Sequence, residues 1–237
     1  MDARASVTQI PIVPLFPAPL RKWVQPVEPA LHRLLMPSRV SRAVESACRL
    51  NTAAEFVRVL LDSLDIGFEI DGGDLNHLPA KDPLLVVANH PFGFVEGLVL
   101  IALLDRVRPD SKILANAVLA SVPALREKLI LVNAFESKTA RRENLLPLRQ
   151  AFGWLKGGGL LAIFPGGEVA SLNWMEHAVT DPPWKTTAAR LALRVKCPVL
   201  PIFFTGTNSM PFHLAATLHP MLRTLSLALK RSAVAAN

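Results

Sequence analysis

The run Leu84-Leu85-Val86-Val87-Ala88 contains no polar residue and stops abruptly at Asn89-His90. A short apolar run bounded by turn residues reads as a buried β-strand. Pro91-Phe92-Gly93 follows as a turn, and a second apolar stretch, Leu98 to Leu104, reads as a helix. The same order recurs along the chain. Strands are expected over Ile66–Ile70, Lys112–Ala115, Leu129–Val132, Leu160–Phe164 and Val199–Phe204. Helices are expected over Thr139–Lys156, ended by Gly157-Gly158-Gly159, and over Trp184–Lys196, with Ala188, Leu191, Ala192 and Val195 inward. Alternating strands and helices define an α/β class: one mostly parallel central sheet flanked by helices.

The N-terminal part differs. Pro11, Pro14, Pro17 and Pro19 exclude a continuous helix there and predict an extended arm over residues 1–30. Its apolar residues, Ile10, Ile12, Val13, Leu15 and Phe16, favour contact with the body or with lipid. Residues 30–64 read as two helices, the second over Ala53–Leu64 with Phe56, Val57, Leu60, Leu61 and Leu64 on one face. Arg33, Arg39, Arg42, Arg49 and Arg58 lie on this segment with few acids, either as a solvated basic face or as a face for anionic lipid. The chain thus divides into a proline-rich arm with amphipathic, membrane-facing helices (1–64) and an α/β domain (65–237).

Length and charge narrow the partners. The 237 residues suffice for one sizeable domain. Only 19% of them are charged, yet Lys and Arg outnumber Asp and Glu by 26 to 19. A basic, apolar-rich chain suits an anionic partner: a membrane surface, a phosphorylated substrate or nucleic acid. Zinc-finger spacing, RNP-like aromatic motifs and tyrosine are all absent, which argues against nucleic acid. No apolar stretch reaches the ~18 residues that span a bilayer, and the start lacks a signal peptide's basic-then-apolar order. On this reading the protein lies on a membrane if it meets one. Cys48 and Cys197 are isolated and read as buried, reduced thiols, in keeping with a reducing compartment. The histidines other than His90, namely His32, His77, His177, His213 and His219, show no metal spacing.

Open α/β sheets bind ligands at the carboxyl ends of their strands. Three such ends carry residues with no obvious structural duty: Asn89-His90, Pro165-Gly166-Gly167-Glu168 and Gly206-Thr207-Asn208-Ser209. Glycine turns let a backbone approach a ligand closely, and their N–H groups can hold a phosphate or an oxyanion. An imidazole titrates near neutrality and can accept a proton at working pH. Glu96, six positions after His90, falls near a helix start, where the dipole favours an acid. From spacing alone, His90 is either a helix-capping residue beside a solvated Glu96, or a general base whose tautomer Glu96 holds. G-x-S-x-G, P-loop and dinucleotide-binding fingerprints are absent.

Three blocks taken in order resemble the glycerolipid acyltransferase superfamily: ANHPFGFVEG (88–97), NLLPLRQAFGWLKGGGLLAIFPGGEVAS (144–171) and WKTTAARLALRVKCPVLPIFFTGTNS (184–209). This superfamily holds the lysophosphatidate and lysophospholipid O-acyltransferases. The chain looks most similar to its hemolysin-like branch, which includes lyso-ornithine-lipid acyltransferases. The resemblance implies that His90 removes the proton of an acceptor hydroxyl with Glu96 as acidic partner. It implies a lyso-lipid acceptor and an acyl thioester donor, acyl-CoA or acyl-carrier protein, with no bound cofactor. Phe164, Pro165, Gly166, Gly167 and Glu168 match the acceptor-binding loop, and Asn89, Gly93 and Asn208 are expected substrate contacts. Arg141, Arg142 and Arg149 are either head-group or donor-phosphate contacts, or a solvated helix face. The implied setting is lipid biosynthesis at the cytoplasmic face of a membrane, held peripherally. Non-catalytic lipid binding on the same fold, or thioester hydrolysis, would use the same residues differently. Two departures stand out. Five residues, not four, separate the histidine from its acid, which is Glu rather than Asp. FPGG-E-V replaces the common FPEG-T-R block, so that block's usual acid and arginine are missing.

Overall fold

A computed structural model describes residues 13, 18–30, 38–72, 75, 78–133, 142–173, 175, 177–208 and 234–236. The first helix, α1 (Ala18–Val24), corrects the expectation of an extended arm through residue 30. Pro19 falls in its first turn, where the missing N–H removes no intrahelical bond. Helices α2 (Ser38–Ala47) and α3 (Ala53–Leu64) follow. Thr52 starts α3, its hydroxyl accepting the Glu55 N–H at 3.3 Å. Next come β1 (Phe68–Ile70), β2 (Leu84–Ala88), α4 (Phe94–Leu104) and β3 (Lys112–Asn116). Two 3-10 segments, Ala117–Ser121 and Pro123–Lys128, lead to β4 (Leu129–Val132). The chain continues through α5 (Leu145–Lys156), β5 (Leu160–Ile163), the hairpin β6 (Ser171–Asn173) and β7 (Ala178–Thr180), α6 (Thr187–Val195), β8 (Val199–Ile202), β9 (Phe204–Thr205) and β10 (Val234–Ala236).

The main sheet has five strands in the order β4-β3-β5-β2-β8, all parallel. Its first strand by sequence, β2, lies between β5 and β8 and is buried along its whole length. Leu84, Val86 and Ala88 face a core built with α2, α3 and α4, whereas Leu85 and Val87 face α5 and α6. Burial on both faces is why this strand reads as an uninterrupted apolar run. Each fully buried Leu or Val contributes roughly 1.5–3 kcal/mol. The apolar face of α3, with Phe56, Val57, Leu60 and Leu61, is spent on the same core. Arg42, Arg49 and Arg58 remain exposed, Arg58 lying 4.0 Å from Asp62. Arg33 and the side chain of Arg39 lie outside the described residues, as do His32, His77, His213, His219 and Ser209.

Several element boundaries differ from the sequence expectation, among them the start of β1, at Phe68 rather than Ile66, and that of α4, at Phe94 rather than Leu98. The described helix begins at Leu145, because Asn144 is engaged before it: its side chain exchanges two hydrogen bonds of 2.7 Å with the Asn133 backbone. Thr139, Ala140 and Arg141 lie outside the described residues. Helix α6 begins at Thr187 rather than Trp184, since the Lys185 N–H is taken by the Pro165 carbonyl at 3.0 Å. The strand expected over Val199–Phe204 breaks at Phe203, and β9 joins β10 and β1 in a small second sheet. Cys48 and Cys197 are free and half-buried rather than fully buried, and burial pushes both thiols above their ordinary value.

The amino edge of the sheet is closed by one buried guanidinium. Arg108 is 1% exposed. Its Nε and Nη2 donate to the two carboxylate oxygens of Asp110, each at 2.8 Å. Nη2 also donates to the Gly158 carbonyl at 2.8 Å, and Nη1 to the carbonyls of Asp82 (3.1 Å) and Pro79. Asp110 in turn accepts the Leu160 N–H at 3.2 Å. The loops entering β2 and β5 are thereby stitched together. Arg108→Met, which leaves those carbonyls unpaired, should cost about 3–5 kcal/mol in denaturant unfolding. The hydrogen bonds from Arg108 hold the Asp110 carboxyl below its ordinary value, with burial opposing them. A depressed carboxyl stabilises the fold above its unfolded-state value, and that stabilisation is lost as pH falls through the folded-state value. Asp110→Asn should therefore lower the melting temperature at neutral pH and lose less further stability than wild type below about pH 4.

Candidate functional site

The chain leaves β2 toward α4 on one face of the sheet, whereas β5 and β8 are joined by α6 on the other. Such a divergence opens a crevice at the carboxyl ends of the strands. His90 stands two residues beyond the end of β2, at this carboxyl end of the sheet. The turn that follows reverses sharply. Gly93, at the N-cap of α4, has φ 96°, a conformation that L side chains rarely adopt.

Glu96 lies in the first turn of α4 and is wholly buried. Its Oε1 accepts the backbone N–H of Phe92 and lies 3.4 Å from Nδ1 of His90. The carboxylate thus folds back over the turn to face the imidazole. A proton on Nδ1 is the one that complements the carboxylate, which leaves the lone pair on Nε2. Among the described residues, neither Nδ1 of His90 nor Oε2 of Glu96 has a hydrogen-bond partner of good geometry, and both atoms are buried. The pair sits at ion-pair distance rather than in a tight hydrogen bond. Catalytic contacts are often loose before substrate arrives. The His90 side chain is 17% exposed, and its ring stacks on Phe164 with centroids 4.3 Å apart. One edge is therefore committed to Glu96 and one face to Phe164.

Phe164 opens the glycine turn after β5. The Gly167 N–H donates to the Phe164 carbonyl at 3.0 Å, and Gly167 takes φ 73°. Pro165 and Gly166 are buried against the site, whereas Gly167 and Glu168 are exposed. The chain then runs through the β6–β7 hairpin and returns to His90. The Ala170 N–H donates to the His90 carbonyl at 2.8 Å, and the His90 N–H donates to Asp181 Oδ1 at 3.0 Å. Asp181 Oδ2 accepts the Trp184 indole N–H at 3.0 Å. Sequence reasoning did not single out Asp181, which lies 91 residues from its partner and carries no motif of its own.

The other sequence-nominated residues divide by what their side chains touch. Asn89 exchanges hydrogen bonds with the Phe204 backbone, donating to its carbonyl at 2.9 Å and accepting its N–H at 2.7 Å. Asn208 is 4% exposed and donates to the Pro91 carbonyl at 2.8 Å. Both amides are committed to backbone: they brace the histidine turn against the β9 strand and the loop after it. Gly206 sits in the same brace with φ 98°, and a Cβ there would lie 3.0 Å from Cζ of Phe92. Arg142 and Arg149 are exposed before and on α5, and no described hydrogen bond or ion pair joins either to the His90 turn. Arg141 lies outside the described residues. Among the described residues no cluster of His, Cys, Asp and Glu is arranged to hold a metal ion.

A family model described as Acyltransferase matches residues 70–205, a span that includes His90, Glu96, the glycine turn and Asp181. Curated relatives include the lyso-glycine lipid O-acyltransferase of Bacteroides thetaiotaomicron, 26% identical over 161 residues, covering 67% of this chain and 56% of the relative. The enzyme of the same name from Phocaeicola vulgatus is 26% identical over 165 residues, covering 69% of this chain and 56% of the relative. The matched region thus spans little more than half the length of these relatives. Among solved structures, the crystal structure of the 1-acyl-sn-glycerophosphate (LPA) acyltransferase PlsC from Thermotoga maritima aligns with a TM-score of 0.45 and 18% identity, over 82% of this chain and 73% of that one.

The Asn89 brace makes a direct prediction. Asn89→Ala leaves the N–H and C=O of buried Phe204 without these partners. Unpaired buried polar groups cost about 1–3 kcal/mol each. The denaturation midpoint should fall accordingly, with the m-value unchanged.

Proposed function

The chain belongs to the acyltransferase family, and from that premise we propose that it transfers a fatty acyl group from an acyl thioester to the hydroxyl of a lyso-lipid at a membrane surface, with His90 as general base. The observation that carries this reading is the approach of Glu96 Oε1 to His90 Nδ1 at 3.4 Å, beneath a ring that stays partly open to solvent. Nε2 takes the proton of the acceptor hydroxyl as its oxygen attacks the thioester carbonyl. The tetrahedral intermediate collapses, the carbon–sulfur bond breaks, and the departing thiolate takes the proton back from the imidazolium. His90 ends as it began, and no acyl-enzyme forms. Glu96 holds the ring in one tautomer and stabilises the imidazolium that forms between the two proton transfers.

The donor is acyl-CoA or acyl-carrier protein, a substrate rather than a resident cofactor. The relatives are named lyso-glycine lipid O-acyltransferases, which supports a single-chain lipid acceptor. Arg142 and Arg149, exposed before and on α5, would meet anionic groups of donor or acceptor. The formal charge of +7 favours an anionic surface. No described helix is long and apolar enough to cross a membrane. A peripheral position on the cytoplasmic face accommodates both substrates and places the activity in lipid biosynthesis.

The test is acyl transfer from a labelled thioester to a panel of lyso-lipids presented in mixed vesicles. His90→Ala should lower kcat by about 10²–10⁴-fold, the usual loss for a positioned general base. Glu96→Gln should also lose activity while the protein remains folded by circular dichroism. Full activity in His90→Ala would reject the mechanism. Release of free fatty acid without dependence on lyso-lipid would mark a hydrolase instead.

A further inference from the structure

Building on the acyl-transfer reading, we propose that Asp181 is a positioning residue, which fixes the backbone of His90 so that the imidazole keeps its approach to Glu96. The argument starts from the backbone. His90 lies past the last paired residue of β2, Ala88, so the sheet does not satisfy its N–H. A donor that is partly buried there needs a partner. Asp181 supplies it at 3.0 Å, with a carboxylate rather than a neutral oxygen. Such charge-assisted bonds are about twice as strong as neutral ones.

The carboxylate itself is held from two sides. Its second oxygen takes the Trp184 indole N–H at 3.0 Å. Two prolines, Pro182 and Pro183, follow it directly. A residue before proline is confined to extended backbone, which limits where the Asp181 side chain can swing. Pro182 also lies against the glycine turn, since a Cβ on Gly166 would come within 3.4 Å of its ring.

One excursion of chain between β5 and α6 therefore grips His90 three times. Asp181 takes its N–H, the Ala170 N–H takes its carbonyl, and Phe164 stacks on its ring. Glu96 faces the ring from α4. No described ion pair joins the Asp181 carboxylate to the imidazole, so Asp181 acts through the main chain. Loss of its bond would let the His90 peptide rotate and carry the ring away from Oε1. Misplacement of a catalytic group by about 1 Å can cost ~10²-fold in rate.

The experiment compares Asp181→Ala, Asp181→Asn and Trp184→Phe with wild type. It reads kcat and KM in the vesicle assay, the ¹⁵N-correlated NMR signals of the His90 ring (assigned by their absence in His90→Ala), and the melting temperature. Asp181→Ala should lower kcat by about 10–10²-fold with little change in KM, and should shift the His90 ring signals. Asp181→Asn keeps an oxygen acceptor and should recover most of that loss. Trp184→Phe frees one carboxylate oxygen and should move the same signals and kcat in the same direction, by less. Wild-type kcat with unmoved ring signals in Asp181→Ala would overturn the proposal. A melting temperature lowered with kcat and ring signals unchanged would do so too, because it would mark a purely structural tie. Should Asp181→Ala fail to fold, unmoved signals and unchanged kcat in Trp184→Phe, whose side chain is 51% exposed, would overturn it. The ring signals need no turnover. If wild type acylates nothing on the panel, the functional reading fails while the positioning claim is still decided.

Discussion

A carboxylate with no access to water is the constraint around which the site is built. Burying such a group is costly unless donors surround it. Glu96 meets this cost with the Phe92 N–H, the amino end of α4 and the facing imidazole. Each of these requires the chain to double back within the few residues after His90. Gly93 makes the reversal possible, and Asn208 holds Pro91 from outside. Gly206 leaves room for Phe92 where a Cβ would crowd it. The residues around the turn are thus explained by the need to keep one acid buried and aimed.

The two edges of the sheet divide the work. At the amino edge, Arg108 satisfies its donors on Asp110 and on carbonyls of the incoming loops, so that edge is stitched shut. At the carboxyl edge, Nδ1 of His90 and Oε2 of Glu96 are left without hydrogen-bond partners among the described residues. A buried network with every member satisfied specifies structure, and one left partly unsatisfied is a place where a substrate can complete the bonding. The second arrangement is tolerable because the first holds the strands in register beneath it.

What could be seen in the sequence follows from the range of the forces involved. Leu84–Ala88 and Leu129–Val132 were legible as strands, and Ala53–Leu64 as a helix, because apolar periodicity and caps act within a few residues. His90, Glu96 and the glycine turn were legible as parts of one site because strand ends of an open sheet converge. Asp181 was not, since nothing near it in sequence announces a partner 91 residues away. The true work of Asn89 was hidden for a similar reason. Its amide reaches Phe204, 115 residues on, and that bond depends on β9 leaving the main sheet. The break at Phe203 is invisible in an apolar run that reads as continuous strand. Helix α1 was missed because prolines count against a helix unless they fall in its first turn.

The unusual spacing between histidine and acid resolves in physical terms. With five residues between them, Glu96 becomes the third residue of α4. A side chain on a helix leans toward its amino end. Glu96 therefore points back toward the turn, and its extra methylene, relative to aspartate, extends that reach. The longer turn and the longer acid compensate each other: a shorter side chain at position 96 would withdraw the carboxylate from both the Phe92 N–H and the imidazole. The same logic assigns Gly93 its place. An acid that reaches backward needs the turn to present Phe92 and His90 on its side of the helix axis, and the left-handed residue at the N-cap makes that presentation possible. Spacing, acid type and glycine form one solution to a single geometric demand, and changing any one of them alone would undo it.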